Sequence, residues 1–265
     1  MALSIDGNLH IGEAGAATLS TTLTTTNAAD IIVICFEAEN ISSGVTPVVS
    51  TCTVGGSNAT KRNSVAWTNP AGVGGAKNLT AIYWFFAAAA LTAATVSVVF
   101  TAPIDNAAMV AFGVTGFTGT GYHTNPWDVS AATALGWSVT NVTASATQLA
   151  SAANISTVSA ADLILAFGGS GDNTAAQAFG TKLGTSTAAG TIGGVAAAQV
   201  NVGAFEVAGT DQAVAGVEFL VVSTIQTNIA ANFAATATAE GWVIMPDALT
   251  VAGGATDVLF AQIVM

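Results

Sequence analysis

Few side chains in this sequence have the types and spacing that catalysis or ligand chemistry draws on. His123 stands five residues before Asp128, an orienter for a Ser-His-Asp triad, but no Gly-x-Ser-x-Gly elbow presents a nucleophile. His10 is far from it in the chain, and the expected role of His123 is a hydrogen bond within an aromatic loop. Cys35 has no neighbouring base or cation to generate a thiolate. Glu37 and Glu39 share one face of a strand that begins near Asp30, and paired carboxylates suit glycoside hydrolysis or Ca²⁺ binding. The residues 132 positions later are Gly169 and Gly171, so the acidic pair is not repeated and reads as a solvated strand end. Gly168-Gly169-Ser170-Gly171-Asp172-Asn173 follows a strand as phosphate loops do, but lacks their Lys and following helix, and reads as a wide hairpin turn. No catalytic, cofactor-binding or metal-ligating residue is expected, and the chain reads as non-enzymatic.

The elements that would hold these residues announce themselves by repetition. Thr24-Thr25-Thr26-Asn27-Ala28-Ala29-Asp30-Ile31-Ile32-Val33 returns 132 residues later as Ser156-Thr157-Val158-Ser159-Ala160-Ala161-Asp162-Leu163-Ile164-Leu165. A second echo sets Val96-Ser97-Val98-Val99-Phe100 against Ile229-Ala230-Ala231-Asn232-Phe233, 133 residues on, and Ala108-Met109-Val110 against Gly241-Trp242-Val243. Two motifs with nearly one spacing predict two related halves, about 24–117 and 156–250. The shared Asp30 and Asp162 are expected to cap a turn. Strands are expected near 30–38, 48–54, 60–67, 79–87, 95–101 and 107–115, then near 137–143, 145–149, 162–168, 177–185, 191–207, 213–224, 228–236, 240–246 and 258–264. Leu3-Ser4-Ile5 and Leu9-His10-Ile11 flank Asp6-Gly7-Asn8, which predicts an N-terminal hairpin within residues 1–17. Residues 18–265 then form one β-sandwich, jelly-roll-like, in an all-β fold. Cys35 and Cys52 flank Ile41–Pro47 symmetrically, so a hairpin there would set them on adjacent strands, bonded or as two buried thiols.

Charge narrows the partners. Charged residues are 7% of the chain, and fifteen carboxylates against four Lys and Arg give a formal charge of −11. No basic stripe exists to neutralise phosphates, and anionic lipid would repel such a surface, so nucleic acid and membrane are not expected partners. The N-terminus has neither a basic n-region nor an apolar h-region, and no secretory signal is expected. Asn78–Ile104 is uncharged but alternates, which predicts two strands in place of a membrane helix. Low charge makes a free monomer poorly soluble and favours a particle or multimer.

The order of these elements carries a resemblance. An Asp-led apolar strand, Ile82-Tyr83-Trp84, Ala94–Phe100, Met109–Gly116, the Asn125-Pro126-Trp127-Asp128 loop and the second Asp162 strand follow one another over roughly residues 18–250. This pattern resembles a β-sandwich module of phage virion structural proteins and bacterial surface proteins. The resemblance implies an adhesive or structural role with no shared catalytic residues. The expectation is a virion protein, a capsid accessory or decoration protein, forming a homo-oligomer on a major capsid protein or a tail lattice. Its candidate contacts are Leu3, Ile5, Leu9, Ile11, Tyr122 and Trp127. A surface adhesin or carbohydrate-binding module, reading glycans with the Tyr122–Asp128 loop at a cell surface, is the alternative.

Overall fold

A computed structural model describes residues 2–41, 44–68, 76–128, 138–141, 148–150, 154–160, 162–172, 190–204, 212–234 and 241–252. The described elements are strands plus one short 3-10 turn at Gly121–His123, so the chain is all-β. The first half comprises β1 (Ser4–Ala14), β2 (Thr18–Leu23), β3 (Asp30–Asn40), β4 (Val49–Val54), β5 (Ser57–Asn58), β6 (Thr60–Thr68), β7 (Lys77–Ala87), β8 (Ala94–Phe100) and β9 (Asn106–Thr115). The second comprises β10 (Ser138–Asn141), β11 (Gln148–Ala150), β12 (Asp162–Asp172), β13 (Thr191–Ile192), β14 (Val195–Ala196), β15 (Ala198–Ala204), β16 (Gln212–Val222), β17 (Ala231–Ala234) and β18 (Gly241–Thr250). In the first half, sheet β1-β9-β3-β7-β6 packs on sheet β2-β8-β4-β5; in the second, β10-β18-β12-β16-β15 goes with β11-β17-β13-β14. The two orders match strand for strand, and each is the alternation of a jelly roll, closed by strands that cross between sheets.

Three hydrophobic cores arrange these sheets in four layers. One lies inside each jelly roll, and the largest fills the seam where the two five-stranded sheets meet face to face. Both faces of the inner sheets are therefore buried. Ile31, Val33 and Cys35 of β3 face the seam, while Ile32, Ile34, Phe36 and Ala38 face the first jelly roll's own core. All eleven residues of β3 are buried, which is why its sequence runs apolar where a half-exposed strand would alternate. Across the seam β15 and β16 come closest to β1, β9 and β3, where Ala213 and Ala215 take little room. The outer layers alternate: Leu19 and Leu23 point in from β2, while Ser20 and Thr22 point out.

The pairing corrects four expectations. No N-terminal hairpin forms: β1 is one continuous strand against β9, with a bulge between Asp6 and Asn8. Gly7, at φ 71°, absorbs the extra residue, and Asp-Gly serves a G1-type bulge as readily as a hairpin turn. The bulge reverses the alternation, so Leu3 faces the seam and Leu9 the first core. Cys35 and Cys52 do not share a hairpin either. The chain leaves β3 and crosses to the other sheet before β4, placing one thiol in the seam and the other in the first jelly roll, both unbonded. Gly168–Asp172 is the continuation of β12 and not a turn. The expected single strand 191–207 is three pieces, β13, β14 and β15, joined by a Gly193-Gly194 turn that matches Gly55-Gly56; all four glycines have positive φ. The strands expected at 177–185 and 258–264 lie outside the described residues.

The first echo aligns as the sequence predicts, but the second is two residues out of register. Val54 pairs with Val96 and its counterpart Ile192 pairs with Ala231, so Phe233 corresponds to Val98 and not to Phe100. A slip of two preserves which face each residue takes, so the face assignment survives it. The side chain of Phe233 is outside the described set. Phe100 is buried edge-on against Phe36 at 5.9 Å between ring centroids. Phe100→Ala is expected to cost about 3–5 kcal/mol in chemical denaturation; a loss below about 1 kcal/mol would place that ring outside the core.

Candidate functional site

The polar residues that the repeat preserves build the same clamp twice, at the same end of each jelly roll. In the first half, the Thr24 hydroxyl accepts the Ala93 amide at 3.0 Å and the Thr25 hydroxyl accepts the Leu91 amide at 2.9 Å. In the second, Ser156 accepts the Asn228 amide at 2.9 Å and Thr157 accepts the Gln226 amide at 3.0 Å. Ala93 and Asn228 both take positive φ, 47° and 53°, a conformation these hydroxyls help to hold. The adjoining turn is capped by a carboxylate from 20 to 31 residues earlier in the chain. Asp6 accepts the amides of Thr26 and Asn27 with their side chains, at 2.7–3.1 Å. Asp128 accepts the amides of Val158 and Ser159 at 3.1–3.2 Å.

Asp30 and Asp162, expected to cap these turns, instead lie buried behind the caps. No donor reaches either oxygen of Asp30 or of Asp162 in hydrogen-bond geometry. Burial, with the adjacent Asp6, pushes Asp30 up to about 7. Burial, with the charge of Asp128, pushes Asp162 up to about 6. Burial also opposes the charge on Asp6, but the bonds from Thr26 and Asn27 outweigh it and hold Asp6 near 2. The first clamp is thus an acid–carboxylate pair with the environments split, the arrangement that separates proton donor from acceptor. Here neither member faces a cleft, so the pair acts on the fold.

The seam holds the other acidic group. Glu37 and Glu39, expected in solvent, are fully buried. A Cβ on Gly169 would stand 2.7 Å from Glu37 Oε2, and one on Gly171 would strike Asn78 and Glu39. The missing side chains of the second half are therefore the space that the carboxyls of the first half fill. Counterparts meet at one height, so β3 and β12 run in the same direction across the seam. Asn78 Nδ2 donates to Glu37 Oε1 at 3.0 Å, the Thr80 hydroxyl donates to Oε2, and Trp67 Nε1 donates to the Thr80 hydroxyl at 2.8 Å. Burial, against those donors, pushes Glu37 up to about 8. Inside the second jelly roll Glu218 accepts the Gly190 amide at 3.1 Å, and burial pushes it up to about 7.

A buried ion pair ties the halves together. Arg62, at a bulge in β6, donates from Nε and Nη2 to both oxygens of Asp247 in β18, at 2.8 and 3.0 Å. Its guanidinium lies 4.8 Å from the centre of the Trp127 ring. Trp127 itself bridges to Leu249 and is 1% exposed, and Tyr122 is 5% exposed beneath Phe117 and Phe86. The aromatic loop therefore plugs the seam and presents no ring to a partner. Of the six candidate contact residues, Leu3, Leu9, Tyr122 and Trp127 are core residues, and Ile5 and Ile11 are half-buried against the same cores. Their apolar character marks the interior, because these side chains of β1 and of the aromatic loop pack on the two first-half cores.

No constellation for a reaction is assembled from the residues weighed above. His123 stacks on Phe86 at 4.0 Å, while the Asp128 carboxylate is engaged by turn amides. Burial pushes the Cys35 thiol well up, away from nucleophilic thiolate. Among the described residues no group of three or more His, Cys, Asp or Glu could hold a metal ion, and no helix is long and apolar enough to cross a membrane. Cavities of about 300 and 240 Å³ adjoin at Val49 and Tyr83 on the open edge of the first jelly roll, beside Lys61 and Asn58. The Asp6 and Asp128 caps and the Arg62–Asp247 pair carried no sequence signal: their partners lie 20 to 185 residues away.

The sign of the pH dependence follows from the split. Asp30 and Asp162 bind protons more tightly folded than unfolded, so their stabilisation is complete below about pH 4 and lost as pH rises through about 6 to 7. Asp6 contributes above about pH 4 and loses its contribution as pH falls toward 2. Thermal or urea denaturation should show maximal stability near pH 4–5, below the usual pH 5–8 optimum, and Asp30→Asn with Asp162→Asn should flatten the neutral-side decline. An unchanged decline would show that these carboxyls are ionised in the native state. Arg62→Ala is expected to cost about 3–5 kcal/mol by stranding Asp247, and adding Asp247→Asn should recover part of it in a double-mutant cycle.

No family model matches the chain, and no curated protein matches it. Among solved structures, an oxalate decarboxylase from Bacillus subtilis aligns over 97% of this chain and 78% of its own, at 8% identity and a TM-score of 0.14, a likeness that carries no argument.

Proposed function

We propose that this chain is a non-enzymatic structural protein of a phage virion, a capsid accessory or decoration protein that works through protein–protein contacts as a homo-oligomer. The observation that carries the reading is where the charge lies. Among the described residues eight Asp and Glu are buried, while β2, β4, β5 and β8, which form the outer sheet of the first jelly roll, contain no charged residue. Across that sheet Ser20 pairs with Ser97, Thr22 with Thr95 and Thr53 with Ser97, giving a hydroxyl-covered surface. Uncharged hydroxyls are cheap to desolvate and re-bond, so such a face suits repeated close contact in a particle. Jelly rolls are a recurrent capsid architecture, which agrees with the reading by analogy of fold. With the N-terminal strand and the aromatic loop committed to the interior, this outer face and the exposed Val45 and Val48 become the contact elements in their place.

The alternative, a surface adhesin or carbohydrate-binding module, loses its reader because Tyr122 and Trp127 are buried. It keeps the open cleft beside Tyr83, Lys61 and Asn58. Two measurements separate the readings. Light scattering on the purified chain should give an oligomer, and Ser20→Glu with Ser97→Glu should dissociate it while leaving the fold intact. A glycan array should be blank. A stable monomer that turns over a substrate or binds a glycan tightly would sink the structural reading.

A further inference from the structure

We infer that the seam between the two jelly rolls is a proton-locked joint: Glu37 is carried as the neutral acid in the hole over Gly169, and its ionisation loosens the seam while each jelly roll keeps its own core. The device is independent of the proposed function. Its geometry rests on three observations. Glu37 is fully buried, and its carboxyl reaches the facing sheet at Gly169. The residue opposite it is a glycine, which brings no charge across the seam at that position. Its neighbours on β7 and β6 are neutral donors, Asn78, Thr80 and, through Thr80, Trp67.

The charged and titratable groups facing it are few. β3 itself contributes Cys35 and Glu39; β18 contributes Asp247, already held by Arg62 of β6; β9 sets Ala108 beside Glu37 and β12 sets Gly169 over it. None of these is a cation free to pair with a Glu37 carboxylate. The Thr80–Glu37 contact can carry its hydrogen from either oxygen, so the neutral acid is fully bonded in place. A carboxylate there would keep its donors but sit between Ala108 and the Gly169 backbone, which Ala215 and Val243 flank. Burial sets the ionisation near pH 8, within reach of mildly alkaline media. The core cluster of the first jelly roll is made of apolar side chains; inside the second, Glu218 is a separate buried carboxyl held by the Gly190 amide, and the comparison with Glu37→Gln leaves its contribution unchanged.

The test compares the full-length chain with Glu37→Gln, whose amide imitates the neutral acid. Urea denaturation and amide hydrogen exchange are followed from pH 5 to pH 9. By linkage the wild-type folding constant should fall relative to Glu37→Gln by roughly two to three orders of magnitude over that range. Exchange, corrected for its intrinsic pH dependence, should rise first at residues 37–39 and 169–171, ahead of the strands facing the outer layers. Asp30→Asn, which alters only a clamp, should keep the exchange response at the seam. A Glu37→Gln profile parallel to wild type, or seam exchange that rises only with global unfolding, overturns the proposal. If Glu37→Gln does not fold, the exchange of volumes Glu37→Ala with Gly169→Ala supplies the second arm. That variant should fold and show no alkaline loosening; one that folds and still loosens near pH 8 overturns it.

Discussion

Burial of both faces of β3 and β12 is the constraint from which the rest of the molecule follows. A sheet with one wet face can place its charges outward. A sheet covered on both sides must neutralise, pair or hydrogen-bond every polar group it carries. The chain uses all three means: burial pushes Glu37 and the two clamp aspartates toward the neutral acid, Asp247 is paired with Arg62, and Asp6 and Asp128 accept backbone amides. The formal charge of −11 therefore overstates what a partner meets, because much of the acidity is internal and part of it is neutral.

The two halves keep one topology but divide the work of the seam. Where the first places Glu37 and Glu39, the second places Gly169 and Gly171; where the second places Asp247, the first places Phe112. The clamps, by contrast, are held alike in both halves down to the hydroxyls that receive residues 93 and 228. Elements that close each jelly roll are constrained by that jelly roll alone. Residues at the seam are constrained only as complementary sets, and there the two copies differ.

Much of the fold was legible, and the reason is periodicity. The alternation in Val96-Ser97-Val98 and the Thr24–Val33 echo both report local geometry, which a sequence carries directly. The strands of the first half fall where pattern and turn residues place them. What could not be read was which surface each strand meets. Leu3, Tyr122 and Trp127 look the same in sequence whether they meet a partner or another layer of their own chain. Asp6-Gly7 signals a backbone that turns or bulges, and only the presence of β9 decides between them. Glu37 and Glu39 looked wet because an acidic pair without a repeat counterpart has no evident reason to be inside. The counterpart glycines, a mismatch in sequence, are the other half of the fit.

That fit bears on how copies of the chain avoid one another while folding. Jelly rolls with one topology on one polypeptide are natural candidates for domain swapping, in which the first half of one molecule docks on the first half of another. Two first halves brought together at the seam would set Glu37 against Glu37, two carboxyls in space for one. Two second halves would set Gly169 against Gly169 and leave an unfilled gap instead. Only unlike halves close without clash or void, and unlike halves are most concentrated when they belong to the same chain. The asymmetry at a few strand positions thus steers each molecule toward its own intramolecular partner during synthesis, in a protein whose outer surface has little charge to keep its neighbours apart.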